Sequence, residues 1–286
     1  MIPRVPPSAK QDNIISVHGL KFVYNGGVQA LDGIDIDIRR GDYLAVVGGN
    51  GSGKTTLAKN MNGLLRPTNG SVTVNGVSTS EQTVAELAKV IGYAFQNPDH
   101  QLFCSSVVEE VRFGPLNLGY TEAEVAKKTE MSIEAMGLSS VKDQPPFSLT
   151  LGERRRVSIA SVMAMDPQVF ILDEPTTGLD ARETDDLMEG IDRLNLDGRT
   201  VVLITHDMKL VAKHAKRVVV MSEGRIVLDS DPRGVFTDLE LLLRSKLIPP
   251  PVAQLAHRLS SLEVPRDVIS PEELVFHLMS GRGALK

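Results

Sequence analysis

Tryptophan is absent from this 286-residue chain, and cysteine occurs once, at Cys104. A lone thiol closes no internal disulfide, so the fold must rest on burial rather than on covalent staples, as fits a reducing compartment. No segment reaches the roughly 18 uninterrupted apolar residues of a membrane-spanning helix. The opening MIPRVPPSAKQDN also lacks an apolar core of signal-peptide length. The expectation is a soluble chain that reaches a membrane only through a partner. A basic excess is missing too: 31 Lys and Arg against 36 Asp and Glu leave a net charge of −5, the wrong sign for a protein that holds nucleic acid electrostatically. Internal repeats and low-complexity tracts are likewise absent. What is there is ordinary globular material, 42% hydrophobic and 23% charged, sufficient for one large domain or two modest ones.

Organisation follows from periodicity. Residues 1–12, rich in proline and polar side chains, read as a flexible tail. From Ile14 the chain alternates, and in GIDIDIRRGD the side chains of Ile34, Ile36 and Ile38 share one face while Asp35 and Asp37 point to solvent, the pattern of a half-buried strand. YLAVV, GSVTVNG and VIGYAF add further strands. Between about 97 and 163 the character turns helical, in SSVVEEVRFG, TEAEVAKKTEMSIEAMGL and GERRRVSIASVMAM, as if a helical subdomain interrupts a sheet. Strands then alternate with helices again through QVFILDEP, ARETDDLMEGIDRLN, RTVVLITHD and RVVVMS, which argues for an α/β fold with a mostly parallel sheet covered on both faces. GRIVLDSD closes this domain, giving 13–235. Residues 236–286 form a C-terminal helical extension, whose last helix is expected to start at Ser270 with an S-x-x-E capping box to Glu273.

Chemistry concentrates in VVGGNGSGKTT. Gly48 to Thr55 spells G-x-x-x-x-G-K-T between an apolar strand and a helical pattern, the context that a phosphate loop requires. Glycine lets the backbone turn its N–H groups inward around an anion, and a helix starting at Gly53 aims its positive end at a phosphate. The loop residues Gly48, Gly49, Asn50, Gly51, Ser52, Gly53, Lys54, Thr55 and Thr56 are therefore expected to hold the nucleotide, with Lys54 bridging the β- and γ-phosphates and the Thr55 hydroxyl on Mg2+. VFILDEP pushes Asp173 and Glu174 out of a buried strand, costly unless they have partners. Beside a phosphate loop, Asp173 is expected to hold the magnesium shell and Glu174 to polarise the attacking water, help typically worth ~10²–10⁴ in rate. His206, just past the strand of LITHD, is expected to contact the γ-phosphate and sense its presence.

SLTLGERRRVSIAS opens the helix before that carboxylate strand, and here the chain resembles the ABC (ATP-binding cassette) ATPases: Leu149 to Glu153 reads L-T-L-G-E where the family's signature is L-S-G-G-Q. The resemblance, over about Ile14 to Asp231, implies a P-loop NTPase fold with a RecA-like, mostly parallel sheet core, an antiparallel β segment near the N-terminus and ATP with Mg2+ as cofactors. It further implies that Thr150, Gly152 and Glu153 face the nucleotide of a second subunit, that Tyr24 stacks on adenine, that Gln96 senses magnesium and the membrane partner, and that TGLD, ending at Asp180, links the two sites. Tyrosine in a strand can equally be core. Leu151 replaces the signature's first glycine, so the composite site built on this signature is expected to be weakened. Arg154, Arg155 and Arg156 read as a solvated helix face. FQNPDHQLFCSSVVEEVRFGPLNLG and the Pro249 extension are similar to the ATPase subunits of energy-coupling factor transporters. That implies a second ABC ATPase subunit, in a homo- or heterodimer to which the extension contributes, a transmembrane coupling protein, a substrate-capture membrane protein for a vitamin or metal ion, and a peripheral location on the cytoplasmic face of the cell membrane. A soluble ABC ATPase and a small-molecule phosphotransferase are the rival readings; the first commonly carries two cassettes or a coiled-coil insertion, and the second leaves Leu149 to Glu153 without a role.

Overall fold

The computed structural model describes residues 13–281, and the expected tail at 1–12 lies outside the described residues. β1 (Asn13–Val23) and β2 (Gln29–Arg39) pair antiparallel. Alternation sets their faces: Ile34, Ile36 and Ile38 are buried, and Asp35 and Asp37 are exposed. β3 (Tyr43–Val47) is buried along its whole length and runs through a loop into α1 (Lys54–Met61). β4 (Asn69–Val74) pairs with β1 and with the short β5 (Val77–Ser78), completing an antiparallel sheet in the order β2-β1-β4-β5.

After α2 (Val84–Ala88) and β6 (Ile91–Ala94) come three helices in the interval read as a helical subdomain: α3 (Val107–Asn117), α4 (Glu122–Ala135) and α5 (Leu151–Ala164). Reciprocal caps start the last two. Thr121 N donates to Glu124 Oε2 at 2.9 Å, and Thr150 N donates to Glu153 Oε2 at 2.9 Å. Val107 and Val111 of α3, Ile133 of α4 and Val157 of α5 share one apolar cluster with Phe170 and Leu203 of the sheet, so the helices are anchored on the sheet and not only on each other.

The chain continues through β7 (Val169–Asp173), α6 (Ala181–Leu196), β8 (Thr200–Ile204), α7 (Met208–His214), β9 (Arg217–Ser222) and β10 (Arg225–Ser230). The larger sheet has the order β10-β9-β3-β8-β7-β6, with only β10 antiparallel. β3, β7 and β8 are buried at every position, as strands covered on both faces must be. Register then levels three strand ends. Val46 and Asp173 both flank Ile204, so the segments leaving β3, β7 and β8 emerge side by side.

The C-terminal part holds α8 (Pro232–Thr237), α9 (Leu239–Arg244), α10 (Pro251–Arg258) and α11 (Pro271–Gly281). Val235, Phe236, Leu242, Leu247 and Ala253 form one core with Ala45 and Val47 of β3, so this extension backs the strand that feeds the glycine-rich loop. The expected capping box at Ser270 forms only in half. Glu273 N donates to Ser270 Oγ at 3.2 Å, but the Glu273 carboxylate turns to Arg233 and to Ile269 N because a guanidinium offers it a stronger, charged partner. Among the described residues, no helix is long and apolar enough to cross a membrane.

Candidate nucleotide site

Between β3 and α1, Gly48, Gly51 and Gly53 hold positive-φ conformations that glycine enters most cheaply. Gly53 caps α1 at φ 103°, and a Cβ there would fall 2.7 Å from Ala30 O. At Gly48 a Cβ would meet Met221 O at 2.3 Å. Gly53 supplies no side-chain cap to α1, whose first turn also has no acidic residue, and the leading N–H groups of a helix have no acceptor within it. That bare terminus is what an anion needs. Lys54 is only 8% exposed, and its Nζ donates to Gly48 O at 2.8 Å and Gly49 O at 3.1 Å. Burial pushes its ammonium pKa down, against the pull of the Glu174 and Asp173 carboxylates.

Asp173 ends β7 in the same place. Its Oδ2 accepts the Thr55 hydroxyl at 2.9 Å and the Tyr93 hydroxyl at 2.9 Å, while its buried Oδ1 has no hydrogen-bond partner. An orphaned carboxylate oxygen beside a threonine hydroxyl fits Mg2+, which takes one or two carboxylates and completes its shell with phosphate and water. Among the described residues, no three His, Cys, Asp or Glu side chains cluster as a metal cage, so such an ion would depend on the nucleotide. Glu174 is 8% exposed and holds a left-handed backbone at φ 50°, a conformation that costs a glutamate energy and that surrounding bonds must impose. Its N–H donates to Ile204 O, and His206 Nδ1 stands 2.7 Å from its Oε1. Lys54, Thr55, Asp173, Glu174 and His206 are thus gathered at the carboxyl ends of β3, β7 and β8, where open α/β sheets bind ligands.

The other expected residues are placed as follows. Tyr24 is 40% exposed, edge-on to Phe22, with its hydroxyl 3.0 Å from Thr56 Oγ1, which sets the phenol beside the first turn of α1. Asn50 and Gly51 are exposed at the loop tip, Ser52 is buried with an unpartnered Oγ, and Gln96 is exposed just past β6. Thr150 and Glu153 cap α5 for each other: the Thr150 hydroxyl donates to Glu153 Oε2 at 2.8 Å, and these bonds hold the carboxyl below its usual range. A Cβ on buried Gly152 would strike Glu183 Oε1 at 2.6 Å. Asp180 caps α6, accepting Glu183 N at 2.8 Å. No hydrogen bond among the described residues joins Thr150, Gly152, Glu153 or Asp180 to the phosphate loop. Leu151 is 41% exposed and leans over the adjoining loop, its Cδ2 2.7 Å from where a Cβ on Gly178 would stand.

The arginine run is a correction. Arg155 is not on a solvated face: it is 4% exposed and donates to the carbonyls of Gln96 at 2.6 Å, Glu174 at 3.2 Å and Thr177 at 3.1 Å. Arg154 pairs with Asp99 and Arg156 with Glu183. The side of α5 that faces the two loops carrying these carbonyls is not solvated, and the planar fork of Arg155 can serve carbonyls on both of them. Tyr93 was also missed by sequence reasoning. Its signal was a phenol inside the apolar run VIGYAF, since a buried hydroxyl requires a partner.

Comparison with known proteins identifies the family. The family model described as ABC transporter matches residues 31–177. A putative ABC transporter ATP-binding protein from Caldanaerobacter subterraneus is 45% identical over 92% of this chain and 46% of its own length. The chain spans under half the length of that relative and of two from Methanosarcina species, at 41% and 44%. The energy-coupling factor transporter ATP-binding protein EcfA of Methanoculleus marisnigri is 41% identical over 86% of this chain and 90% of its own. Among solved structures, cbiO1 from Clostridium perfringens, described as part of the ABC transporter complex cbiONQ, aligns with a TM-score of 0.73 at 36% identity, covering 87% of this chain and 99% of that one. A dimeric, post-hydrolysis ATP-binding cassette, MJ0796 bound to ADP and Pi, aligns with a TM-score of 0.71 at 26% identity, covering 77% and 99%. On its motifs, its fold and these relatives, the chain belongs to the ABC transporter family, of which it carries the ATP-binding cassette.

Proposed function

We propose that this chain is the ATP-binding subunit of an energy-coupling factor importer, hydrolysing ATP at a dimer interface to drive uptake of a vitamin or transition metal ion through membrane partners. The observation that carries the reading is the split arrangement of the site. Lys54, Thr55, Asp173, Glu174 and His206 converge at the carboxyl ends of neighbouring strands, while the signature residues Thr150 and Glu153 spend their bonds on capping α5 and make none to the loop of Gly48 to Thr56. A second subunit supplying the signature completes each site, and MJ0796, a cassette of this family, is described as dimeric. Thr55 and Asp173 would hold magnesium, which when bound offsets charge on the phosphate oxygens.

The chain's own residues divide the remaining work. Lys54 exchanges its two loop carbonyls for phosphate oxygens. Glu174 accepts a hydrogen bond from the attacking water, whose oxygen bonds to the γ-phosphorus as the bond to the bridging oxygen breaks. His206 holds the Glu174 carboxylate in place through Nδ1 and presents its exposed face to the γ-phosphate. Tyr24 stacks on adenine, and Asp180 lies on the loop that links the two sites. An apolar cleft lined by Tyr93, Phe95, Phe103 and Phe113 adjoins Gln96 and suits the transmembrane coupling protein. Val275, Phe276 and Met279, all more than half exposed on α11, suit the subunit contact of the 236–286 extension. The location is then peripheral, on the cytoplasmic face of the membrane.

Glu174→Gln tests the assignment. It is expected to trap a closed, ATP-loaded dimer with turnover reduced at least about 10²-fold, seen by size-exclusion chromatography with radiolabelled ATP. Normal hydrolysis by that variant would remove Glu174 from the chemistry. Extraction of the chain from its own cells in detergent is expected to bring membrane proteins with it, whereas transfer of phosphate to an added small-molecule acceptor would favour a phosphotransferase.

A further inference from the structure

The helical extension touches the phosphate loop itself. At the end of α9, Lys246 N donates to Leu243 O at 3.0 Å and Leu247 N to Leu242 O at 2.9 Å, the paired bonds of a helix stop whose left-handed residue is normally glycine. Here that residue is Lys246, at φ 58°. The preceding carbonyl, Ser245 O, accepts the N–H of Gly49 at 3.0 Å. Gly49 is buried and its backbone is not left-handed, so its lack of a side chain answers to its neighbour and not to its own dihedrals. A Cβ on Gly49 would stand 2.8 Å from Lys246 Cβ, 3.1 Å from Ser245 O and 3.2 Å from Lys246 Cδ. The lysine stem thus fills the space that a side chain at Gly49 would take. Ser245 and Leu247 on either side are 4% and 2% exposed, and Leu247 shares a core with Val47, the last residue before the loop.

We infer that Lys246 is a positioning residue for nucleotide binding: with Ser245 O it props the first turn of the phosphate loop from behind, and through this contact the state of the C-terminal extension sets the affinity for ATP. A lysine held left-handed where glycine would rest more easily is strain kept at one point of the fold, and the stem it places over Gly49 is what that strain secures. Movement of the extension, on which the subunit contact is proposed to lie, is then transmitted to Gly49 through this contact. The inference rests on the reading of Gly48 to Thr56 as the ATP phosphate loop.

The test is a double-mutant cycle on the full chain, with the dissociation constant for Mg2+-ATP read by calorimetry and the Tm by thermal unfolding. Gly49→Ala is expected to weaken binding about tenfold, because the methyl meets Lys246. Lys246→Gly is expected to raise Tm, since glycine relieves the left-handed backbone, yet to weaken binding about threefold by removing the prop. The double variant is expected to bind within about threefold of the unaltered chain, the glycine making room for the methyl. Opposite signs in Tm and affinity for Lys246→Gly are a signature that a purely structural residue would not give, and they decide the matter even if Gly49→Ala folds poorly. Additive losses in the cycle, or an unchanged affinity in Lys246→Gly, would overturn the inference. Failure of the unaltered chain to bind Mg2+-ATP would instead refute the nucleotide-site reading beneath it.

Discussion

Single residues decide how the site is held. Arg155 reaches three carbonyls on two loops at once, that of Gln96 and that of Glu174 and Thr177, and burial pushes its guanidinium pKa down while the Glu174 and Asp173 carboxylates oppose that. Arg155→Met removes three hydrogen bonds, with Glu174 O keeping only its longer bond from Thr177 N at 3.3 Å, and is expected to destabilise the fold by about 2–4 kcal/mol. Arg155→Lys is expected to recover less than half of that loss, because one ammonium cannot span the positions that a planar fork reaches. Unchanged thermal unfolding in Arg155→Met would show that the three bonds carry no weight. Lys54 and Thr55, proposed to hold phosphate and magnesium, were legible as a motif because its fixed spacing is local in the chain. Arg155 was not, since three adjacent arginines look alike until packing selects one of them to face inward. Tyr93 lay between: its need for a partner was readable, but its partner, Asp173, stands 80 residues away.

At the scale of elements, the helix starts differ in a way that sorts their roles. α1 begins bare, whereas α5 and α6 begin with their own carboxylates, Glu153 and Glu183, turned back onto the cap. The open terminus is free for phosphate; the capped ones already carry negative charge where a second anion would come. Leu151 adds a side chain at the signature and rests on the Gly178 loop. Leu151→Gly is accordingly expected to raise ATP turnover of the assembled complex by roughly twofold or more, since backbone can then approach phosphate; unchanged or lower turnover would assign Leu151 a supporting role. Helical patterning made α4, α5 and α6 readable in advance, while the reciprocal caps that start them went unread. That the box at Ser270 forms only in half was not readable either, because it depends on Arg233, which arrives from α8.

For the whole molecule, a signature that makes no bond to the glycine-rich loop of its own chain predicts, on the proposed function, collaboration between copies or with a related subunit. ATPase activity per mole of chain is expected to rise with protein concentration until the dimer is populated; full activity in a strict monomer would contradict the proposed mechanism. Alternating strands and helices disclosed the sheet, but not that β3 would lie between β8 and β9, nor that the 245–246 segment would return to Gly49, because long-range pairing leaves no mark in local sequence. One further property follows from the phenol of Tyr93 bonded to Asp173 and that of Tyr24 bonded to Thr56. In a chain of four tyrosines and no indole, half of the tyrosines stand at the candidate nucleotide site, so tyrosine emission from unlabelled protein is expected to change when Mg2+-ATP binds there.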